Sequence, residues 1–264
     1  MIVWLLSYLL LGAATGYMAG LLGIGGGGIM VPVLVMLFSW QGVAPEHMVH
    51  FALGTSMAAI VPTAISSALA HHRRGSVYWR AVLWMAPGVL FGAFLTTFVA
   101  TYIPAKPLAV FFALFMTGIA GYMIWGRPPR PDRILPRAPG LAAVGTGIGG
   151  VSSLVAIGGG SLTVPFLVWC NQTPQRAIGT SAALGIPIAA AGALGYMVNG
   201  WQAASALPTI GYVVWPAVLA MASMSFMTAP LGARLAHRLP VLRLKQIFAV
   251  VMVALAVKML HGVW

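Results

Sequence analysis

A transmembrane helix needs about 20 apolar residues in a row, and this chain of 264 residues supplies that length repeatedly. Candidate segments run over 2–22, 49–70, 80–100, 107–125, 140–156, 177–197, 207–231 and 246–263. Only 6% of the residues are charged, where a water-facing domain carries about 25%. Such a chain cannot clothe a soluble surface, and the sequence predicts an all-α polytopic membrane protein in the lipid bilayer. Soluble enzymes and disordered tails are excluded, and Cys170, the lone cysteine, excludes a disulfide scaffold. Fourteen Lys and Arg face two acidic residues, Glu46 and Asp132, for a net charge of +12. These basic residues sit in short loops, which indicates membrane topology and no nucleic-acid partner. The first segment has no basic residue ahead of its apolar stretch, so it reads as a span and not as a signal peptide. Two further apolar stretches, 29–39 and 162–170, are too short to cross squarely, and each follows a glycine run.

The chain contains itself twice. Ile24-Gly25-Gly26-Gly27-Gly28-Ile29-Met30-Val31-Pro32 reappears as Ile157-Gly158-Gly159-Gly160-Ser161-Leu162-Thr163-Val164-Pro165, and Gly54-Thr55-Ser56 with Pro62 reappears as Gly179-Thr180-Ser181 with Pro187. Two motifs in the same order, each with a matched proline, define a first transmembrane repeat over 1–125 and a second over 140–264. A basic, proline-rich linker, 126–139, joins them and cannot be helical around Pro128, Pro129 and Pro131.

Charge discriminates between two topologies. If each glycine run interrupts a single crossing, eight crossings follow. Arg73, Arg74, Arg80, Arg127, Arg130, Arg133 and Arg137 then oppose Lys106, Arg176, Arg234, Arg238, Arg243 and Lys245, seven against six. If the chain turns back at each run, each half has five membrane segments. All of these basic residues except Lys106 then share one side, twelve against one. The positive-inside bias selects the second topology. An odd number of segments per half makes the repeats inverted, as in many secondary transporters. Both termini are then expected outside, with the loops 71–80, 126–139, 171–176 and 234–245 in the cytoplasm.

Broken backbone inside a bilayer is tolerated only where protein buries it or a cavity lies beside it. Gly25, Gly26, Gly27 and Gly28, and Gly158, Gly159 and Gly160 with Ser161, are expected to open short helices whose first N–H groups form an anion site. Thr55, Ser56, Thr180 and Ser181 are candidate hydroxyl donors to the same anion, although Ser and Thr in membrane helices usually bond their own backbone. Pro62 and Pro187 are expected to kink their helices near these hydroxyls. Gly12, Gly16 and Gly20, and likewise Gly88 and Gly92, have the four-residue spacing of close helix packing. His50, one turn before Gly54, reads either as facing the site or, the preferred reading, as an interface residue; Lys258 reads as a snorkelling one, while His71 to Arg74 read as an inside anchor.

Other chemistries find no support in the residues. Gly23 to Gly28 fits a dinucleotide fingerprint in spacing, but it follows a membrane-length segment and not a strand. Asn171-Gln172-Thr173 is a sequon in a loop expected to be cytoplasmic. Gly150-Val151-Ser152-Ser153 lacks the last glycine of an intramembrane serine-protease motif, and no catalytic residue, metal site or cofactor is expected. The membrane segments hold no Asp or Glu, which argues against a cation pump.

The run at 23–32, its copy at 157–165 and the two Gly-Thr-Ser triplets resemble the sulfite exporter TauE/SafE family, and the likeness covers nearly the whole chain. That resemblance implies a bacterial inner-membrane protein exporting sulfite or an organosulfonate. Ser161 departs from it at the fourth glycine of the second copy, and the basic loop usual after the Gly-Thr-Ser helix is absent near Asn199 and Gly200. The expected substrate is therefore a small sulfur oxyanion, moved by alternating access between two opposed helix N-termini. Uptake of another sulfur anion or an organic acid, and a non-transporting assembly role, are the competing readings. A homodimer is one assembly open to the chain.

Overall fold

The computed structural model describes residues 2–22, 26–126, 133–203, 205, 207–235 and 241–263. Among them ten helices fall on the apolar stretches: α1 (Ile2–Leu22), α2 (Gly27–Trp40), α3 (Met48–His72), α4 (Trp79–Tyr102), α5 (Ala105–Trp125), α6 (Ala138–Leu154), α7 (Gly160–Trp169), α8 (Pro174–Asn199), α9 (Trp215–Leu235) and α10 (Val241–Val263). Six of these, α1, α3, α4, α5, α8 and α9, are long and apolar enough to cross a membrane. At 1.5 Å per residue, α2 with 14 residues and α7 with 10 reach only about 21 and 15 Å, short of the roughly 30 Å hydrocarbon core.

Small residues set the packing. Gly12, Gly16 and Gly20 of α1 lie against Met221, Ser225 and Ala229 of α9, so these helices run parallel at backbone contact. Gly88 and Gly92 of α4 meet Ala142 and Thr146 of α6 in the same manner. Exchanging the two halves turns the first pair into the second. Likewise α3 packs on α9 where α4 packs on α8. The equivalent helices α3 and α8 pack antiparallel: Gly185 approaches Ala64, and Gly192 approaches Met57. These two form the centre, with 78% and 72% of their most apolar stretches buried, against 33–39% for α1, α4, α5 and α9. The outer helices present Leu10, Leu83, Phe91, Leu114 and Leu219 outward, a surface that suits lipid and would aggregate in water.

Each half opens with a hairpin of unequal helices. The Tyr8 hydroxyl, near the start of α1, is 3.1 Å from Oε1 of Gln41, just past the end of α2. In the second half the N–H of Arg133, ahead of α6, donates to the carbonyl of Trp169 at the end of α7 over 3.3 Å. The chain has therefore returned to its starting level in both halves.

The basic loops gather at one end of the bundle. Arg74 donates to the Ala233 carbonyl (2.9 Å), Arg176 stacks on Tyr78 (4.5 Å) and Arg133 lies over Trp169 (5.5 Å). His71, expected at a surface anchor, is buried and its Nε2 lies 3.2 Å from the Gly20 carbonyl. The opposite end of α3 carries His50, whose Nε2 lies 3.1 and 3.2 Å from the carbonyls of Ala100 and Ile103. His50 also stacks on Tyr212 at 5.2 Å, which makes it an interface residue.

One expected span needs correction. The stretch 207–231 is not a single helix: Thr209–Ile210 pairs antiparallel with Val213–Val214, and α9 starts only at Trp215. Gly211, at the first central position of the two-residue turn with φ 58°, permits the reversal. The β-branched residues flanking it suit strands as well as they suit an apolar helix. The linker residues 127–132, Gly25 and Arg238 lie outside the described residues.

Candidate functional site

The glycine turns are built alike. Gly26 caps α2 with φ 75°, and Gly159 caps α7 with φ 78°. Only glycine adopts this left-handed conformation without steric cost. The Gly26 carbonyl accepts from Ile29 and Met30, and the Gly159 carbonyl from Leu162 and Thr163. Neither cap offers a side-chain acceptor, so the first N–H groups of both helices, with their partial positive charge, receive no side-chain partner from the cap.

The fold brings these turns together. A Cβ placed on Gly27 would overlap the carbonyl oxygen of Ala156, just ahead of the second turn, so the two backbones touch. One face of α3 joins them. Ile60 Cδ1 comes within 3.3 Å of the Gly27 Cβ position, and Ala64 Cβ, one turn on, within 3.5 Å of that of Gly185. The Gly158 carbonyl in turn lies 3.1 Å from the same Gly185 position. Gly28 faces the sulfurs of Met116 (3.3 Å) and Met252 (3.5 Å).

The Gly-Thr-Ser triplets separate into two roles. Thr55 Oγ1 accepts the backbone N–H of Val214 over 3.0 Å, and Thr180 Oγ1 accepts that of Tyr78 over 2.9 Å. Each threonine thus receives an amide at the start of α9 or α4. Thr180 also donates to the Arg176 carbonyl over 2.7 Å. These hydroxyls fasten one half to the other in a symmetric pair. The serines point elsewhere. Ser56 stands four residues before Ile60, hence on the α3 face that meets the first turn, and Ser181 stands four before Gly185 on the α8 face that meets the second. Ser56 is fully buried and its hydroxyl has no hydrogen-bond partner.

Three further buried hydroxyls have no partner, Ser67 on α3 and, in the second copy, Ser152 near the end of α6 and Thr163 on α7; none is among the candidate site residues of the sequence. The first copy carries Ala19 and Met30 in the places of the latter two, so a search for identity between the copies passes over them. Elsewhere, Glu46 and Lys258 are exposed, the latter as a snorkelling side chain requires. No group of three or more His, Cys, Asp or Glu side chains suited to a metal ion occurs among the described residues.

Paired short helices opening on glycine turns, embedded among membrane-length helices, are the architecture of a membrane transporter. The chain belongs to the sulfite exporter TauE/SafE family, which it matches over residues 8–259. A probable membrane transporter protein of Haemophilus influenzae is 35% identical over 98% of this chain and 99% of its own length. A second from Xylella fastidiosa is 29% identical, covering 96% and 94%. The probable membrane transporter protein YunE of Bacillus subtilis is 25% identical over 95% of both chains. No solved structure matches the chain significantly.

Proposed function

We propose that the protein exports a small sulfur oxyanion, sulfite or an organosulfonate, across the bacterial inner membrane by alternating access. The observation that carries this reading is the contact of Gly27, at the start of one glycine-capped helix, with the Ala156 carbonyl just ahead of the other, beside Ile60 on the α3 face that holds Ser56. Amide hydrogens of partial positive charge in a water-poor site favour an anion, and Ser56 and Ser181 add hydroxyls to it. The two halves act as inverted repeats. The antiparallel packing of α3 on α8 supports this, as does the closure of the α1–α2 hairpin at one end and the α6–α7 hairpin at the other. The end that gathers Arg74, Arg133 and Arg176 is the cytoplasmic one by the positive-inside bias, which leaves the termini outside. Those arginines also raise the local anion concentration.

Membrane voltage supplies a driving force. One elementary charge crossing 100 mV is worth about 2.3 kcal/mol. With the interior negative, outward movement of a monovalent anion is favoured roughly 50-fold, without a carboxylate to carry a coupling proton. The test is flux in proteoliposomes of sulfite, sulfate, sulfoacetate and taurine, each with and without an imposed potential and a pH gradient. Sulfite or sulfoacetate flux that rises with a potential negative on the side of origin is the expected result. Flux of none of the three anions sulfite, sulfate and sulfoacetate, or accumulation against that potential, contradicts export.

A further inference from the structure

Threonines in the helices of this protein have a habit. Thr15, Thr63, Thr117, Thr146 and Thr180 donate to the carbonyl four residues back, and Thr97 and Thr101 to the one three back. This back-bonding is the usual fate of a hydroxyl in a membrane helix. Thr163 breaks the habit. It is fully buried, the Gly159 carbonyl four residues back is engaged by its amide at 2.8 Å, and its hydroxyl has no partner at all. The hydroxyl lies 3.3 Å from the place a Cβ on Gly159 would occupy, directly beside the cap of α7. A buried hydroxyl left unpaired costs about 1–3 kcal/mol. Here it stands next to a helix start whose cap offers no side-chain acceptor, and Ser56 sits on α3 with the same deficit.

We propose that Thr163 is a substrate-binding and specificity-determining residue whose hydroxyl donates to an oxygen of the bound oxyanion, which makes the two half-sites unequal. The equivalent residue of the first half, Met30, is fully buried and donates nothing; likewise Gly28 stands where the second half has Ser161. The short helix α7 therefore offers the anion hydroxyls as well as amides, and α2 offers amides alone, against the thioethers of Met116 and Met252. This inference rests on the oxyanion reading above.

The test replaces the hydroxyl and nothing else. Thr163→Val and Thr163→Ser are compared with the wild type in sulfite flux and in thermal unfolding without anion. A hydrogen bond to a charged group predicts a KM raised about tenfold or more in Thr163→Val, with Thr163→Ser within about twofold of wild type. Because the hydroxyl is unpaired in the empty protein, Thr163→Val should unfold at the same temperature as wild type or higher. An unchanged KM, or a lowered unfolding temperature that reveals a structural bond, overturns the assignment. Failure of the function itself reads differently: wild-type vesicles would then carry no oxyanion, whereas failure of this assignment alone leaves wild-type and Thr163→Val flux equal and robust.

Discussion

In the first half Gly26 turns the chain at φ 75° and Thr55 holds the amide of Val214; in the second, Gly159 turns it at φ 78° and Thr180 holds the amide of Tyr78. The backbone work of the two halves is the same. Their side chains diverge where the turns meet: Gly28 against Ser161, Met30 against Thr163, and Gly23 against Ala156. The shared features shape the chain and fasten the halves. The unshared ones differ mainly in the hydrogen-bond donors they offer. The two halves thus share their turns and fasteners while the side chains at the turns differ, and each of the following substitutions strains that distinction.

The largest effect is expected at Gly27. A methyl group there collides with the rigid carbonyl of Ala156, and Gly27→Ala should cost about 3 kcal/mol or more, read as loss of monodisperse protein in detergent. Gly159→Ala meets side-chain atoms and no backbone, the flexible end of Ile188 foremost and then the Thr163 hydroxyl, and adds left-handed strain of about 1–2 kcal/mol. Equal losses in both variants would show that the turns are not in the unequal contact described.

Next in size come the threonine fasteners. Thr55→Val and Thr180→Val each leave a backbone N–H without its acceptor and should each lower stability by about 1–3 kcal/mol, measured by thermal unfolding. Ser56→Ala removes an unpaired hydroxyl and should leave stability unchanged while reducing flux. A serine variant as destabilised as the threonine variants would erase the division of labour within the triplet. The smallest effect belongs to Ala156, the residue held at φ 46° where the first copy has glycine. Ala156→Gly relieves that strain against the backbone entropy of glycine, a net change within about 1 kcal/mol. A large loss there would mean that the methyl group itself packs at the junction.

Features that both copies keep were legible in the sequence. The glycine runs open short helices and the four-residue glycine spacings of α1 and α4 lie at close helix contacts, as expected, because backbone turns and close packing tolerate few residue types. Loop charge chose a chain that turns back after α1 and α6, as the Tyr8–Gln41 and Arg133–Trp169 hydrogen bonds have it. The separate duties of Thr55 and Ser56 were not legible, since they depend on which helix start faces each side chain. Thr163 carries no signal in the repeat, since its counterpart is Met30. The hairpin at 209–214 was read as helix because Val213 and Val214 serve either structure in an apolar run.

Selenite carries the charge and shape of sulfite together with a heavy atom that scatters X-rays anomalously. Crystals of the protein grown with selenite should show one anomalous peak between the starts of α2 and α7, within hydrogen-bond reach of the amides after Gly26 and Gly159 and of the Ser56 and Thr163 hydroxyls. A saturated crystal with that junction empty, or with selenite bound only among the arginines at the basic end, would contradict the central claim that twin glycine turns hold the anion.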